Sequence, residues 1–528
     1  MTALSSELTS APPPPSYRDA VEQFSWDALW DLFEGTRDRL NIAYECLDRH
    51  RGLGAAVRLR RSDGNHETLT FDQLADQSAR VAHHLENIGV EAGEAVGIMI
   101  EPSLEFYAAV FGAMKRGAVA VPLYTLFGPE ALKARIDDCG ARVLLVGSEF
   151  VDATGYLHDV NVIELGGGWL ETIADLDTDY EVTTKPHDLA VLQYTSGTSR
   201  LLPEAVRHDH RSIVTLTLAG QYGVGLRRGD RFFCPSSPAW GHGLWHGTIA
   251  PLSLGISTGA YAGRFDPAEL AHTLGHFGIT NLAAAGTVYR MLAGKDLLNH
   301  LPRLEKASYT GEALSRETLE SLEAHLGTPV CGMYGTTETG VILANFPGFD
   351  DYAVRPGALG KAVPGWEVAV IDDAGNPVAD GVVGEIAVRR RGEWFRSKDL
   401  GQRDADGYFW YLGRADDVII SSGWTISPLE VENALCLHPD VMAAAVVGVP
   451  DKLRGQALKA FVVSTRNDAD MVSELQDMVK TQLSAHEYPR HIEFIAELPT
   501  TVNGKINRRA LRVQQDDSAN SPRSSEWA

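Results

Sequence analysis

Cysteine is scarce: five residues in 528, at Cys46, Cys139, Cys234, Cys331 and Cys436, with no two in C-x-x-C spacing. An odd, scattered set excludes a disulfide framework and a structural zinc cluster, and a chain of this length buries enough core to need neither. Long apolar runs are missing too. None approaches the roughly 20 residues that span a bilayer, and the start, Met1-Thr-Ala-Leu-Ser-Ser-Glu-Leu8, lacks both the basic and the apolar segment of a signal peptide. The expectation is a protein of a reducing compartment, the cytoplasm. Basic residues are outnumbered, 47 Lys and Arg against 70 Asp and Glu, for a formal net charge of −23. Such a surface repels phosphate backbones and anionic lipid, which excludes general nucleic-acid or membrane binding but not an anionic cofactor in a locally basic pocket. No repeat of fixed period occurs.

What is present is ordinary globular composition, 44% hydrophobic and 22% charged, and a length that implies three or four packing units at roughly 150 residues each. Residues 1–17, ending in Pro12 to Pro15, read as a flexible arm, and 514–528, rich in Ser and Asp, as a flexible tail. Between them apolar runs alternate with helical spacing. Ala95 to Ile100 is followed by a helix from Leu104 to Arg116 that Gly117 stops; Val119 to Pro122 is the next strand, Pro129 opens another helix, and Arg142 to Val146 is a third strand. Buried strands separated by amphipathic helices predict parallel α/β layers. After Pro364 the texture changes to hairpins, with turns at Asp373-Ala-Gly375 and Asp404-Ala-Asp-Gly407. After Arg414 a shorter unit follows: a helix from Pro428, a strand Ala443 to Val449, a helix near Met471 to Leu483 and a strand near Ile492 to Ile495. The fold class is α/β: a large domain, 18–414, of layered α/β subdomains plus a β-rich one, then a small α+β domain, 415–513.

Four motifs bear chemistry. Gln193-Tyr-Thr-Ser-Gly-Thr-Ser199 follows an apolar strand and offers hydroxyls and backbone N–H groups that can cradle phosphate, or is an ordinary turn. It is not a Walker A loop. In Met333-Tyr-Gly-Thr-Thr-Glu-Thr-Gly340, Gly335 permits close backbone approach, Thr336 and Thr337 supply hydroxyls and Glu338 suits a hard cation; a plain turn is the competing reading. Asp399, followed by Tyr408 to Asp417, combines an acceptor for two ribose hydroxyls with Arg414 for a phosphate, or is a surface ion pair. Leu498-Pro-Thr-Thr-Val-Asn-Gly-Lys-Ile-Asn-Arg-Arg509 sets Lys505 on a glycine turn amid basic residues, which also suits a solvated basic patch.

Together and in this order, from about Trp26 to Arg512, these motifs resemble the adenylate-forming enzymes, and within them the acetyl-, medium-chain and aromatic acid CoA ligases, which Tyr44-Glu-Cys-Leu-Asp-Arg-His50 also resembles. The resemblance implies a mobile small domain and a set of roles. Thr195, Ser196, Gly197, Thr198 and Ser199 would form the ATP phosphate loop. Gly311, Glu312 and Tyr334 would lie by the adenine, with Gly335 and Thr336 beside the nucleotide; Thr337 would touch the α-phosphate and Glu338 would hold Mg²⁺. Asp399 would take the ribose hydroxyls beside Arg414, Asp416 would be the hinge, and Lys505 would bridge the acid carboxylate and the α-phosphate. Gly423 and Trp424 would line the pantetheine path, and Trp240, His242 and Gly335 the acid pocket. Acetate-activating members carry tryptophan where Gly335 stands, so the resemblance implies an open space there and a medium-chain, alicyclic or aromatic acid.

One stretch departs from the family. Its phosphate loop continues Gly-x-Pro-Lys-Gly, whereas this chain reads Arg200-Leu-Leu-Pro-Glu-Ala-Val206, with Glu204 in place of the lysine and one residue inserted. His242 and His246 are spaced like half a zinc site, but without H-E-x-x-H, and the nearby glycines and prolines indicate an apolar loop around Leu244. The implied cofactors are ATP, Mg²⁺ and coenzyme A, and the implied partner a small carboxylic acid, with no nucleic acid and no membrane span; the oligomeric state is left open, a dimer included. Two alternatives accompany the ligase reading. One is an adenylating enzyme that loads a carrier protein, though no carrier domain follows Arg512; the other is a degenerate binding homologue, suggested by Glu204.

Overall fold

The structure is a computed structural model, and it describes residues 16–194, 205–294, 297–312, 314, 316–336, 338–415, 417, 419–421, 424–451, 455–483, 487–500, 506–508 and 510–512. The chain divides into two compact units, Met1–Trp366 and Glu367–Ala528.

In the first unit one sheet is ordered Asn161–Leu165, Val143–Gly147, Ala95–Met99, Val119–Pro122, Leu189–Tyr194, Ala205–Asp209. The first five strands are parallel and the last returns antiparallel to its neighbour. Val119–Pro122 and Val143–Gly147 are buried at every position, as parallel strands covered on both faces must be. The helices begin and end where local chemistry dictates. Thr70 and Gln73 form a reciprocal capping box at the start of Phe71–Asn87. Ser103 caps Leu104–Arg116, which ends at Gly117 as the sequence indicates, and Pro129 occupies the first turn of Pro129–Cys139.

A second set of strands in this unit holds Asn281–Ala285, Lys306–Thr310 and Val330–Thr336 as parallel neighbours. The crossover helices Gly286–Gly294 and Arg316–Leu326 connect them around a core that includes Leu274, Leu282, Tyr289 and Leu322. Gly340–Ala344 and Ala358–Ala362 extend the set antiparallel. A three-stranded sheet is ordered Thr258–Tyr261, Ala55–Arg60, His66–Thr70.

The second unit opens with an antiparallel meander, Val368–Ile371, Gly384–Arg390, Glu393–Arg403 and Phe409–Arg414. Both Asp/Gly turns read from the sequence are there: Asp372 N–H donates to Asn376 O at 2.9 Å, and Asp404 N–H to Tyr408 O at 2.8 Å. A five-stranded sheet follows, ordered Trp424–Ile426, Ile419–Ser421, Gly455–Ser464, Val441–Asp451, with His491–Phe494 parallel to Gly455–Ser464. Helices Pro428–Cys436 and Ala469–Gln482 pack on it through Val431, Leu435, Val446, Val462 and Leu475. The α/β class, with a large mixed first part of several sheets and a smaller α+β part at the end, is as expected. Among the described residues no helix is long and apolar enough to cross a membrane.

Candidate active site

In open α/β sheets, ligands bind beyond the carboxyl ends of the strands, and the candidate residues of the first unit gather there. Gly311 and Glu312 follow Lys306–Thr310, while Tyr334, Gly335 and Thr336 end the adjacent parallel strand. The Thr310 hydroxyl donates to Met333 O at 2.9 Å and locks the two strand ends together. Glu312 is held from the neighbouring strand end: its carboxylate accepts from the Thr287 hydroxyl and pairs with Arg290 at 2.6 Å. Sequence reading missed Thr287 and Arg290, because their relation to Glu312 exists only once three parallel strands are side by side.

Val330–Thr336 turns back into Gly340–Ala344 with a bulge between Tyr334 and Gly335, pairing Gly335 with Val341. The Thr339 hydroxyl oxygen accepts from Thr336 N–H at 3.1 Å and donates to Gly340 O at 3.0 Å. Glu338 is exposed at the tip of this tight connection. Among the described residues no cluster of three metal-ligating side chains occurs. A single exposed carboxylate fits the way Mg²⁺ binds, through one or two protein oxygens and the phosphates of its substrate. Gly335 differs from expectation. A Cβ there would lie 1.9 Å from Gly340 O and 2.9 Å from Val341 Cα. The direction a side chain would take is filled by the opposite strand, so no indole-sized space opens along it.

The strand Leu189–Tyr194 leads into residues 195–204, so Thr195, Ser196, Gly197, Thr198, Ser199, Arg200 and Glu204 lie outside the described residues, as does Thr337. The base of the loop is pinned: Tyr194 pairs with Ala205, and its hydroxyl donates to Asp138 Oδ2 at 2.7 Å. The buried Gln193 amide oxygen accepts from Trp245 Nε1 at 3.2 Å, which brings the segment containing Trp240 and His242 against the strand that enters the loop.

That segment is not the loop expected from its glycines. His242–Ile249 is a π-helix, buried at every residue, with the Thr248 hydroxyl donating to Gly243 O at 2.9 Å. Gly243 is a close-approach residue rather than a helix breaker, since a Cβ there would meet Ser237 O at 2.2 Å. His242 Nδ1 lies 2.9 Å from Ser236 Oγ, its ring stands 5.8 Å from that of His246, and the His208 ring packs 4.7 Å from Trp245. Burial pushes His242 down to about 3 and His246 to about 4. His208 also falls to about 4 by burial, although the charges of Asp209 and Glu338 pull it upward.

In the second unit, Asp399 and Arg414 are cross-strand partners, and Arg414 Nη1 lies 3.7 Å from Asp399 Oδ1. Asp399 is buried and its N–H donates to Ser397 Oγ at 3.1 Å. Lys398 beside it holds φ at +63°, its N–H donating to Glu385 Oε1 at 2.7 Å and its carbonyl accepting from Ala415 N–H at 2.9 Å. A left-handed lysine braced on both sides is backbone strain retained next to a functional candidate. Burial, then the charge of Asp399, pushes the Tyr411 phenol upward.

Asp416, Gly423 and Lys505 lie outside the described residues, as does the Trp424 side chain. The flanks of Lys505 are anchored. Thr500 bridges Ile506, Asn507 N–H donates to Pro499 O at 2.7 Å, and Arg512 pairs at 2.8 Å with Asp417, the residue after Asp416. Buried Leu511 packs with Ala445, Val447 and Phe461.

The family described as AMP-binding enzyme matches residues 47–393, and that described as AMP-binding enzyme C-terminal domain matches residues 430–505. The acetyl-coenzyme A synthetase of Bacillus subtilis (strain 168) is 31% identical over 94% of this chain and 95% of its own length. The crystal structure of an acyl-CoA synthetase from Brucella canis aligns with a TM-score of 0.75 at 34% identity, covering 96% of this chain and 100% of that one. The anthranilate CoA ligase AuaEII, crystallised with anthranoyl-AMP, aligns with a TM-score of 0.83 at 29% identity, covering 92% and 99%.

Proposed function

The chain belongs to the AMP-binding enzyme family, resembling its acyl- and aryl-CoA synthetases, and from that premise we propose that it is an ATP-dependent carboxylic acid–CoA ligase. The observation that carries this reading is the tight hairpin of residues 330–344, whose first strand runs parallel to the strand that leads into Gly311 and Glu312 and which carries Glu338 exposed at its tip. In the first half-reaction a carboxylate oxygen attacks the α-phosphorus of ATP, the bond to the bridging oxygen breaks, and pyrophosphate leaves as acyl-AMP forms. In the second, the CoA thiol gives up its proton, its sulfur attacks the acyl carbon, and AMP departs. Two anions must approach in the first step, so cations have to offset their repulsion. Lys505 takes that role, bridging carboxylate and α-phosphate, and Thr337 donates to the α-phosphate. Glu338 would hold Mg²⁺, which would supply Lewis-acid stabilisation of the phosphoryl oxygens. Residues 195–199 receive the phosphates, Asp399 the ribose hydroxyls beside Arg414, and Gly423 and Trp424 the pantetheine, with Asp416 as the hinge.

The acid is medium-chain, alicyclic or aromatic. The buried His242–Ile249 segment beside Gln193, with half-buried Trp240 before it, offers aromatic and apolar wall, and a similar protein is by name a ligase of an aromatic acid, anthranilate. ATP–pyrophosphate exchange over a panel of acids, followed by AMP release with CoA, tests the reading. Exchange with at least one acid and CoA-dependent AMP release support it. Exchange with none favours a non-catalytic binding homologue, the second reading that Glu204 recommends.

A further inference from the structure

Three histidines beside the strand that enters residues 195–199 are buried with nitrogens that find no partner. Both ring nitrogens of His246, Nε2 of His242 and Nε2 of His208 are closed off from solvent with no hydrogen-bond partner among the described residues. Each such orphan has lost its hydrogen bonds to water without regaining any in the fold, a penalty that a bonded or apolar alternative avoids. Phenylalanine or leucine would fill the same volume without that penalty, so the fold alone does not call for imidazole. A second observation is independent of the first: His242 and His246 sit in an eight-residue π-helix, a rare conformation that concentrates at functional sites. The third is position. Trp245, inside that helix, donates to Gln193, two residues before Thr195, and the charge of Glu338 reaches His208. On the acid–CoA ligase reading, this segment is the wall that the acid meets.

We propose that the acid activated here carries a hydrogen-bonding substituent, a hydroxyl or amino group, received by the imidazoles of His242 and His246. The proposal rests on the acid–CoA ligase reading for its site and deepens it by naming the substrate class. A neutral imidazole suits the task because it is donor at one nitrogen and acceptor at the other. Burial keeps both rings neutral at physiological pH. His242 Nδ1 is already engaged by Ser236, which leaves Nε2 to the ligand, whereas His246 offers either nitrogen. Leu244 and Trp245 between them supply the apolar contact for the remainder of the acid.

The test uses matched acids: benzoate with its monohydroxy and monoamino derivatives, and hexanoate and cyclohexanecarboxylate with their hydroxy derivatives. Two readouts run in parallel on the full chain, kcat/KM for pyrophosphate release and direct binding by quenching of intrinsic tryptophan fluorescence. The expected result is that the best substituted acid exceeds its parent about 10-fold or more in both, a site with buried polar groups rejecting the ligand that leaves them unpaired. In His246→Phe and His242→Phe that ratio should fall toward one, and His246→Gln, which keeps a donor and an acceptor, should retain part of it. A wild-type preference for the parent acids, or a substituent preference that survives both Phe variants, overturns the proposal. If no acid supports turnover while the binding preference holds, the ligase reading fails and the recognition by histidine stands.

Discussion

Arg508 Nη2 lies 2.7 Å from Oε1 and 2.6 Å from Oε2 of Glu432, and Oε1 also accepts from Val446 N–H at 2.8 Å. Glu432 is only 5% exposed, and burial holds its carboxyl above the usual range even with the guanidinium alongside. The pair ties the segment three residues past Lys505 to the helix Pro428–Cys436. Removing one partner strands a buried charge, so Arg508→Met should cost about 3–5 kcal/mol in urea unfolding of the second unit. Replacing both, as Glu432→Leu with Arg508→Met, should bring stability back near wild type, since apolar pairs often substitute for buried ions without loss. Pyrophosphate exchange in that double variant should stay about 10-fold or more below wild type, because the lysine has lost its anchor. Recovery of exchange together with stability would remove the positioning role.

Lys505 itself gives a sharper contrast. Lys505→Ala should lower adenylation by roughly 100-fold, comparable to losing one donor to a developing anion. Thioester formation from supplied acyl-AMP should suffer far less, because the anionic approach that the lysine offsets is already over. Equal losses in the two half-reactions would contradict the assignment.

Much of this was legible in the sequence, and the reason is local. Gly117 ends its helix, Pro129 starts one, and the turns at Asp372–Asn376 and Asp404–Tyr408 close as their residues require, because each is governed by near neighbours. The strand Leu189–Tyr194 is equally readable as an apolar run ending in hydroxyl residues, whereas Met333–Gly340 reads only as a motif or a plain turn and its antiparallel pairing is not legible. What escaped is long-range. Glu312 meets Arg290 across a crossover, and Glu432 meets Arg508 at a separation of 76 residues. The π-helix at His242–Ile249 reads from its glycines as a loop, since Gly243 and Gly247 look like breakers until the Ser237 carbonyl and the Cys234 side chain they approach are in view.

Gly335 illustrates the same point in a form that can be measured. Sequence resemblance recommended Gly335→Trp as a way to close the pocket toward acetate, but a side chain there runs into the Gly340 carbonyl. Backbone has to move, and the overpacking penalty of about 1–3 kcal/mol is a lower bound when the obstacle cannot rotate away. Gly335→Ala and Gly335→Trp should both lower the midpoint of thermal unfolding and depress pyrophosphate exchange with every acid, small and large alike. A Trp variant that gained on acetate while losing the larger acids would mean that the pocket, and not the hairpin, governs this position.

Acid should weaken the first unit through its buried histidines. His50, His208, His210 and His246 are pushed down to about 4 and His242 to about 3, in each case chiefly by burial. His210 illustrates the cause: its Nδ1 accepts from Ile42 N–H at 3.0 Å and its Nε2 is enclosed without a partner among the described residues, so a second proton has nowhere to point. The unfolded chain takes up a proton at each near pH 6.5, whereas the folded chain does not until about 4. Stability contributed this way is complete above pH 6.5 and is lost as pH falls from there toward 4, at about 1.4 kcal/mol per pH unit for each ring. Glu45 and Asp48, raised by burial, act in the opposite sense, because the folded state then holds their protons more tightly. A total slope therefore mixes both signs, and the difference between variants isolates one group. Urea unfolding at pH 7.5, 6.5, 5.5 and 4.5 should show a shallower loss for His246→Phe than for wild type, by roughly one proton between pH 6 and 5. His208→Phe should behave alike. If His246→Phe and wild type lost stability in parallel across that window, the ring would have to be protonated in the folded protein, and its role as a neutral donor and acceptor for the acid would fall with it.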